Sequence, residues 1–478
     1  CPAPWLPRAM TAHRPLMVLG CTSDAGKSLL VTALCAWFRG QGVRVAPFKA
    51  QNMSNNARVV ATSHGSGEIG VAQWLQARAA GVEPDVRMNP VLLKPEADTQ
   101  SQVVVRGIVD RELTATPWQE RHDALWTPMA EGFDALASEF DLVVIEGAGS
   151  PAEINLVDQV NNRMVEHADA AALLVSDIDR GGSFAHLYGT WALVPEATRE
   201  RLAGYVLNKF RGDPTLLVPA PARLTELTGM ADAGVLPMLR HRLPREEGAV
   251  EHGEAPAGAP LVVMPRLPFG SNLDEFHMLS HAASVRWATD VASFEQADIV
   301  LLPGSKHVVA DLAWMRERGL DVAVAQAAAS GTPVIGVCGG AMMLGLSLDD
   351  LTHAEGLAGG SAQMLGLLPI RTTMVDEKLT VRSSIDWEGE QHDGYEIRYG
   401  QVSGGDDLVI GRSELGPVAW RSGNVVATTV HGLFEDAAFV DRLLGIRISS
   451  VLDDTFSQLA DAVEQHLDTE LLRRLISM

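Results

Sequence analysis

The sequence predicts an α/β protein made of two doubly wound domains, the first with a mainly parallel sheet and a phosphate-binding loop. Three observations carry this. Short, nearly continuous apolar runs alternate with longer segments of helical spacing, the pattern of strands covered on both faces. That alternation is interrupted once, over 241–260, by a stretch rich in Arg, Glu, Gly, Ala and Pro, and then restarts. A glycine-rich loop ending in Lys27-Ser28 lies between the first apolar run and the first helical segment, the context a P-loop requires.

Taken in order, residues 1–14 hold three prolines and read as a disordered extension, too short and too polar for a secretory signal, with Met10 a candidate start. A first domain is expected over 15–240. Its strands begin at Leu16-Met17-Val18-Leu19 and recur at 43–48, 141–145, 171–175 and 205–207. Residues 241–260 read as a linker. A second domain is expected over 261–440, with strands at 261–264, 299–302, 334–337 and 425–430, and a C-terminal helical segment over 441–478 packed on it.

Bulk properties exclude several classes. A net charge of −22 argues against a nucleic-acid partner, which would want a basic face. No apolar run reaches the ~18 residues of a membrane span. The four cysteines, Cys1, Cys21, Cys35 and Cys338, form no Cys-x-x-Cys pair, so neither a disulfide framework nor a zinc site is expected, as suits a reducing cytoplasm. The sequence does not specify whether the chain forms a homo-oligomer.

Two motifs carry chemistry. In Gly20-Cys21-Thr22-Ser23-Asp24-Ala25-Gly26-Lys27-Ser28, backbone N–H groups from Gly20, Thr22, Ser23, Asp24 and Gly26 are expected to cradle ATP phosphates, Lys27 to neutralise them and Ser28 to hold Mg2+. The loop has one residue more between its glycines than the common pattern. Glu146, at the carboxyl end of a buried strand, is placed to reach the same metal. Lys49 ends the second strand and either reaches the transferring phosphoryl group or is merely exposed. The second motif, Gly336-Val337-Cys338-Gly339-Gly340, reads as a nucleophile on a sharp strand-to-helix turn. A thiol attacks well only as thiolate. The helix that follows would supply a positive N-terminal field, and His431 is either the base or a structural histidine at a strand end. Gly339 and Gly340, with Gly304 from the Pro303-Gly304-Ser305 loop, would donate N–H groups to a tetrahedral oxyanion.

Longer stretches then resemble a known family, the amidotransferase-linked relatives of dethiobiotin synthetase and, among them, the adenosylcobyric acid synthases. These are Lys49-Ala50-Gln51-Asn52-Met53-Ser54-Asn55-Asn56, Met88-Asn89-Pro90-Val91-Leu92-Leu93-Lys94-Pro95, 146–156, Asp177-Ile178-Asp179-Arg180-Gly181-Gly182 and Asn208-Lys209-Phe210-Arg211-Gly212-Asp213. The C-terminal half adds Pro303-Gly304-Ser305-Lys306, Cys338-Gly339-Gly340 and His431-Gly432-Leu433-Phe434. The resemblance implies a dethiobiotin-synthetase-like ATP domain joined to a class I-type glutamine amidotransferase domain. It implies amidation of the b, d, e and g carboxylates of adenosylcobyrinic acid a,c-diamide, with glutamine, ATP and Mg2+, in cobalamin biosynthesis. The family's P-loop has the same longer glycine spacing.

For a polyanionic corrinoid the acidic chain needs a local basic pocket, and Asn52, Arg58, Lys94, Lys209 and Arg211 are the candidates. Three positions depart from related glutaminases. Leu433 stands where a full triad carries Glu, leaving open what orients His431. Met342 stands where Gln often helps hold glutamine, and a buried Met is the alternative reading there. Arg398 replaces a usual His. The rival readings are the related enzyme for the a and c carboxylates and a non-catalytic P-loop switch, which leaves Cys338 and His431 unexplained.

Overall fold

The computed structural model describes residues 13–62, 65–97, 100–154, 160–244, 255–351, 353–354, 360–449 and 452–477. Most of the expected N-terminal extension, residues 1–12, and the middle of the linker, 245–254, lie outside the described residues, as do 155 and 156 of the third family motif. Two compact units form: Cys1–Ser54, Glu68–Arg242 and Val451–Met478 make the first, Asn55–Gly67 and Leu243–Ser450 the second.

The first unit is built on six parallel strands in the order Ala231–Pro237, Leu202–Phe210, Ala171–Asp177, Leu16–Gly20, Leu142–Glu146, Val45–Phe48. Leu16–Gly20 and Ala171–Asp177, in the interior of the sheet, are buried at every residue. Pro47, which has no N–H to donate, falls on an edge strand, where a missing ladder bond is tolerated. Helix Lys27–Gly40 follows the central strand at once. The P-loop therefore sits at the carboxyl ends of neighbouring parallel strands, where ligands bind in open α/β sheets. A side sheet joins Gln51–Met53, Val91–Ala97, Gln100–Val105 and Ile108–Asp110.

The second unit differs from a plain doubly wound domain. Its parallel part runs Ser284–Ala288, Leu261–Pro265, Ile299–Leu302, Val334–Val337, Val425–Thr428. The sheet then continues through antiparallel strands to a long hairpin, Ile370–Trp387 with Glu390–Gly404. Alternation explains it: Ile370, Thr372 and Met374 are buried while Arg371 and Thr373 are exposed, the period-two pattern of a strand with one wet face. The two-residue connection has positive φ at both Glu388 (51°) and Gly389 (88°), as a type I′ hairpin turn requires.

The C-terminal segment corrects the domain expectation. It forms two helices, Leu452–His466 and Thr469–Ile476, and both belong to the first unit rather than to the second. Trp37 donates its indole N–H to Glu464 at 2.7 Å, and Asp468 N–H reaches Ala233 O at 2.9 Å. Asp468 caps the last helix through Leu471 N–H, a contact worth about 1 kcal/mol. Leu471, Leu472 and Ile476 form its buried stripe.

Candidate active site

At the P-loop, Gly26 takes φ 96°, and a Cβ there would collide with the Asn208 side-chain amide. That amide donates to Ala25 O at 2.9 Å, so the loop is held from the neighbouring strand end. Lys27 is buried and donates to Gly149 O at 3.0 Å. Ser28 Oγ donates to Glu146 Oε1 at 2.7 Å, Lys49 Nζ lies 2.8 Å from the same oxygen, and Gln76 donates to Glu146 Oε2 at 2.5 Å. Strand register explains the meeting, because Glu146 pairs with Val18 beside the loop. Burial would raise the Glu146 carboxyl, but the Lys49 charge and the hydrogen bonds from Lys49, Ser28 and Gln76 outweigh it and hold the group below the ordinary range.

A hydroxyl and a carboxylate that converge this way are hard oxygen donors. They fit Mg2+, which typically takes one or two protein oxygens and fills its shell with phosphate and water. Of the alternatives open for Lys49, the structure shows it buried and ion-paired at this cluster rather than exposed.

In the second unit, Cys338 stands between strand Val334–Val337 and the short helix Gly339–Leu344, with φ 49° and ψ −104°. Backbone strain of this kind costs about 1–3 kcal/mol and persists only where surroundings enforce it. Here Cys338 N–H is fixed to Thr428 O at 2.7 Å. A Cβ on Gly340 would strike Leu302 O, so only glycine allows the helix to start this close to the sheet. Val334–Val337 pairs in parallel with Val425–Thr428, which brings His431, just past the end of the latter, to the Cys338 side chain. The Cys338 side chain lies near enough to His431 to help raise the imidazole pKa, and its Sγ is 3.9 Å from Ile397 O. Gly304 borders the same ring, since a Cβ there would lie 3.0 Å from His431 Cε1.

The group that orients His431 is Glu275, which sequence reasoning missed. Its Oε1 lies 2.7 Å from His431 Nδ1, and its Oε2 accepts Gly432 N–H at 2.9 Å. Both side chains are essentially inaccessible. Burial alone would lower the imidazole pKa; the Glu275 charge, then Cys338 and the hydrogen bonds, push it up to about 10. Leu433, at the position of the usual triad acid, is wholly buried in the core. Glu275 sits on the turn Leu273–Phe276, and the only signal for it was an acidic pair, Asp274-Glu275, inside an apolar stretch after a strand.

The candidate corrinoid residues fall in different units. Arg58 does not belong with the P-loop unit: it is buried in the second unit, where it pairs with Asp274 and Glu435 and donates to Tyr395 OH at 2.8 Å. Lys94 is buried against Glu68. Asn52 is buried and donates to Gln73 at 3.0 Å. Lys209 braces the P-loop, donating to Asp24 O at 2.6 Å and meeting Asp177 at 3.0 Å. Each of these side chains has a protein partner. Arg211 is largely exposed and meets Asp179 at 3.2 Å. Met342 is buried in the core and packs over Gly400, the buried-Met alternative. Arg398 is held by the buried Glu396 at 2.6 Å.

Comparison with known proteins agrees with both halves. Residues 16–247 match the family described as "CobQ/CobB/MinD/ParA nucleotide binding domain", and residues 261–439 match "CobB/CobQ-like glutamine amidotransferase domain". Fold and site thus define a nucleotide-using glutamine amidotransferase. Curated relatives called cobyric acid synthase include those of Variovorax paradoxus (51% identity, 97% of this chain and 99% of the relative) and Methylibium petroleiphilum (49%, 98% and 98%). That of Paracidovorax citrulli is 50% identical over 95% of this chain and 97% of the relative. The chain belongs to the cobyric acid synthase family and is an ATP-using ligase. Among the described residues, no helix is long and apolar enough to cross a membrane.

Proposed function

We propose that the protein amidates the b, d, e and g carboxylates of adenosylcobyrinic acid a,c-diamide with ammonia drawn from glutamine. The observation that carries the nitrogen half is Cys338, strained at its turn and close to a His431 that Glu275 holds. The Cys338 thiolate attacks the glutamine amide. Backbone N–H groups near Gly339 and Gly304 are placed to take the oxyanion. His431, an imidazolium at neutral pH, gives its proton to the leaving ammonia, and water then releases glutamate from the thioester.

In the first unit the P-loop and Lys27 hold the ATP phosphates, and Ser28 and Glu146 would hold Mg2+, which supplies charge neutralisation at the phosphates. A corrinoid carboxylate oxygen attacks the γ-phosphorus and expels ADP. Ammonia displaces phosphate from the resulting acyl phosphate. Lys49 keeps the buried Glu146 ionised as a ligand.

Two variants test this division. Cys338→Ala is expected to lose glutamine-dependent amidation and keep amidation driven by concentrated ammonium salt. Lys27→Ala is expected to lose amidation from both nitrogen sources while still hydrolysing glutamine. A folded Cys338→Ala protein inactive with ammonium, or a Lys27→Ala protein that amidates normally, refutes the assignment.

A further inference from the structure

Four consecutive residues from the N-terminal half of the sequence pack around the groups that hold His431. The chain leaves the first unit after Ser54 and returns to it at Glu68, and Asn55–Gly67 belongs to the glutaminase unit. Asn55 Oδ1 accepts from Lys306 Nζ at 3.4 Å, beside the Gly304-Ser305 loop. Asn56 Oδ1 accepts Leu273 N–H at 3.3 Å, and Ala57 N–H donates to Asn272 Oδ1 at 3.1 Å. These bonds clamp the turn that carries Asp274 and Glu275. Arg58 then pairs with Asp274, Glu275's neighbour in sequence, and with Glu435, and donates to Tyr395 OH. Tyr395 stacks on His431 at 5.4 Å and exchanges backbone hydrogen bonds with it at 2.9 and 3.0 Å.

A buried guanidinium among acids is a poor way to gain stability, because desolvation offsets most of the attraction. It is a precise way to fix geometry, since the planar fork dictates where each acceptor lies. Both ends of the excursion are rooted in the first unit. Before it, Gln51–Met53 pairs with Val91–Ala97 and Ser54 N–H reaches Leu93 O at 3.0 Å. After it, Glu68 pairs with Lys94 on that same strand. The segment also follows closely on Lys49, which sits against Glu146.

We infer that Arg58 is a positioning residue of the glutaminase, and that the arm 55–58 makes glutamine hydrolysis depend on the state of the ATP and corrinoid unit. The inference rests on reading Cys338 and His431 as the glutaminase centre.

The test measures glutamine hydrolysis by the full chain, with and without ATP plus the corrinoid diamide, alongside ammonium-driven amidation. Wild-type hydrolysis is expected to rise when both are added. Arg58→Gln should lower kcat for glutamine by about tenfold or more with KM within about threefold, and leave ammonium-driven amidation within about threefold. Arg58→Lys should restore part of kcat. Asn56→Ala buries no unpaired charge, so it decides the matter if Arg58→Gln fails to fold; it should reduce the rise caused by ATP and corrinoid. A wild type that does not respond to them overturns the coupling. Wild-type kinetics in either variant, or a loss in Arg58→Gln confined to ammonium-driven amidation with a raised corrinoid KM, overturns the inference. A wild type that hydrolyses no glutamine at all would instead refute the glutaminase reading beneath it.

Discussion

At the scale of single residues, the centre depends on three side chains that come from distant parts of the sequence. Cys338 was legible because it sits in a glycine-rich motif at the end of an apolar run; His431 stood out only through the family resemblance. Glu275 was not, because a one-turn helix between strands has no periodicity, and its role exists only once the chain brings it to His431. Its charge is the main cause that raises His431 to about 10. Replacing it has a signed consequence. Glu275→Gln keeps shape and one hydrogen bond but removes the negative charge, so the imidazolium loses its proton at lower pH. The alkaline limb of kcat/KM for glutamine is expected to move to lower pH by about one unit or more, with ammonium-driven amidation unchanged. An unmoved alkaline limb would show that Glu275 does not set the protonation of His431. Glu146 gives a second residue-scale outcome: Glu146→Gln should reduce amidation from either nitrogen source by about a hundredfold or more, while glutamine hydrolysis without ATP persists.

At the scale of elements, most strands of the parallel sheets fell close to where apolar runs predicted them and helix Lys27–Gly40 where the loop demanded it, but Ala231–Pro237 and Ser284–Ala288 were not foreseen. What the pattern hid were pieces whose partners lie far away in sequence. The hairpin Ile370–Gly404 carries Tyr395, Glu396 and Arg398, and its strands, with one wet face, offer no continuous apolar run. Helix Gly339–Leu344 spans six residues, so its dipole is weaker support for a thiolate than a long helix would give, and the His431–Glu275 pair bears more of that task. Met342 on this helix fills the space over Gly400. Met342→Gln therefore buries an amide without assured partners, which costs about 1–3 kcal/mol. We expect a lowered Tm and a glutamine KM within about threefold of wild type. A KM that drops sharply with Tm unchanged would mean that the side chain faces substrate after all.

At the scale of the whole molecule, the order of the sequence is not the order of the units. The first unit is assembled from three stretches of chain and the second from two. A linear reading sees a composition break at 241–260 and assigns everything beyond it to the second domain; no local signal announces that a helix returns elsewhere. The return has a consequence that separates the two assignments. Leu472 is fully buried on the last helix, and Leu472→Ala is expected to cost about 2–5 kcal/mol through lost burial and a cavity. If the helix stabilises the first unit, that loss appears as a lower temperature for inactivation of ATP-dependent, ammonium-driven amidation. Glutamine hydrolysis in the same protein, measured without ATP, should inactivate nearer the wild-type temperature, because Leu472 belongs to the first unit. If instead the glutaminase fails first, the C-terminal helices serve the second unit and the three-stretch assembly of the first is wrong.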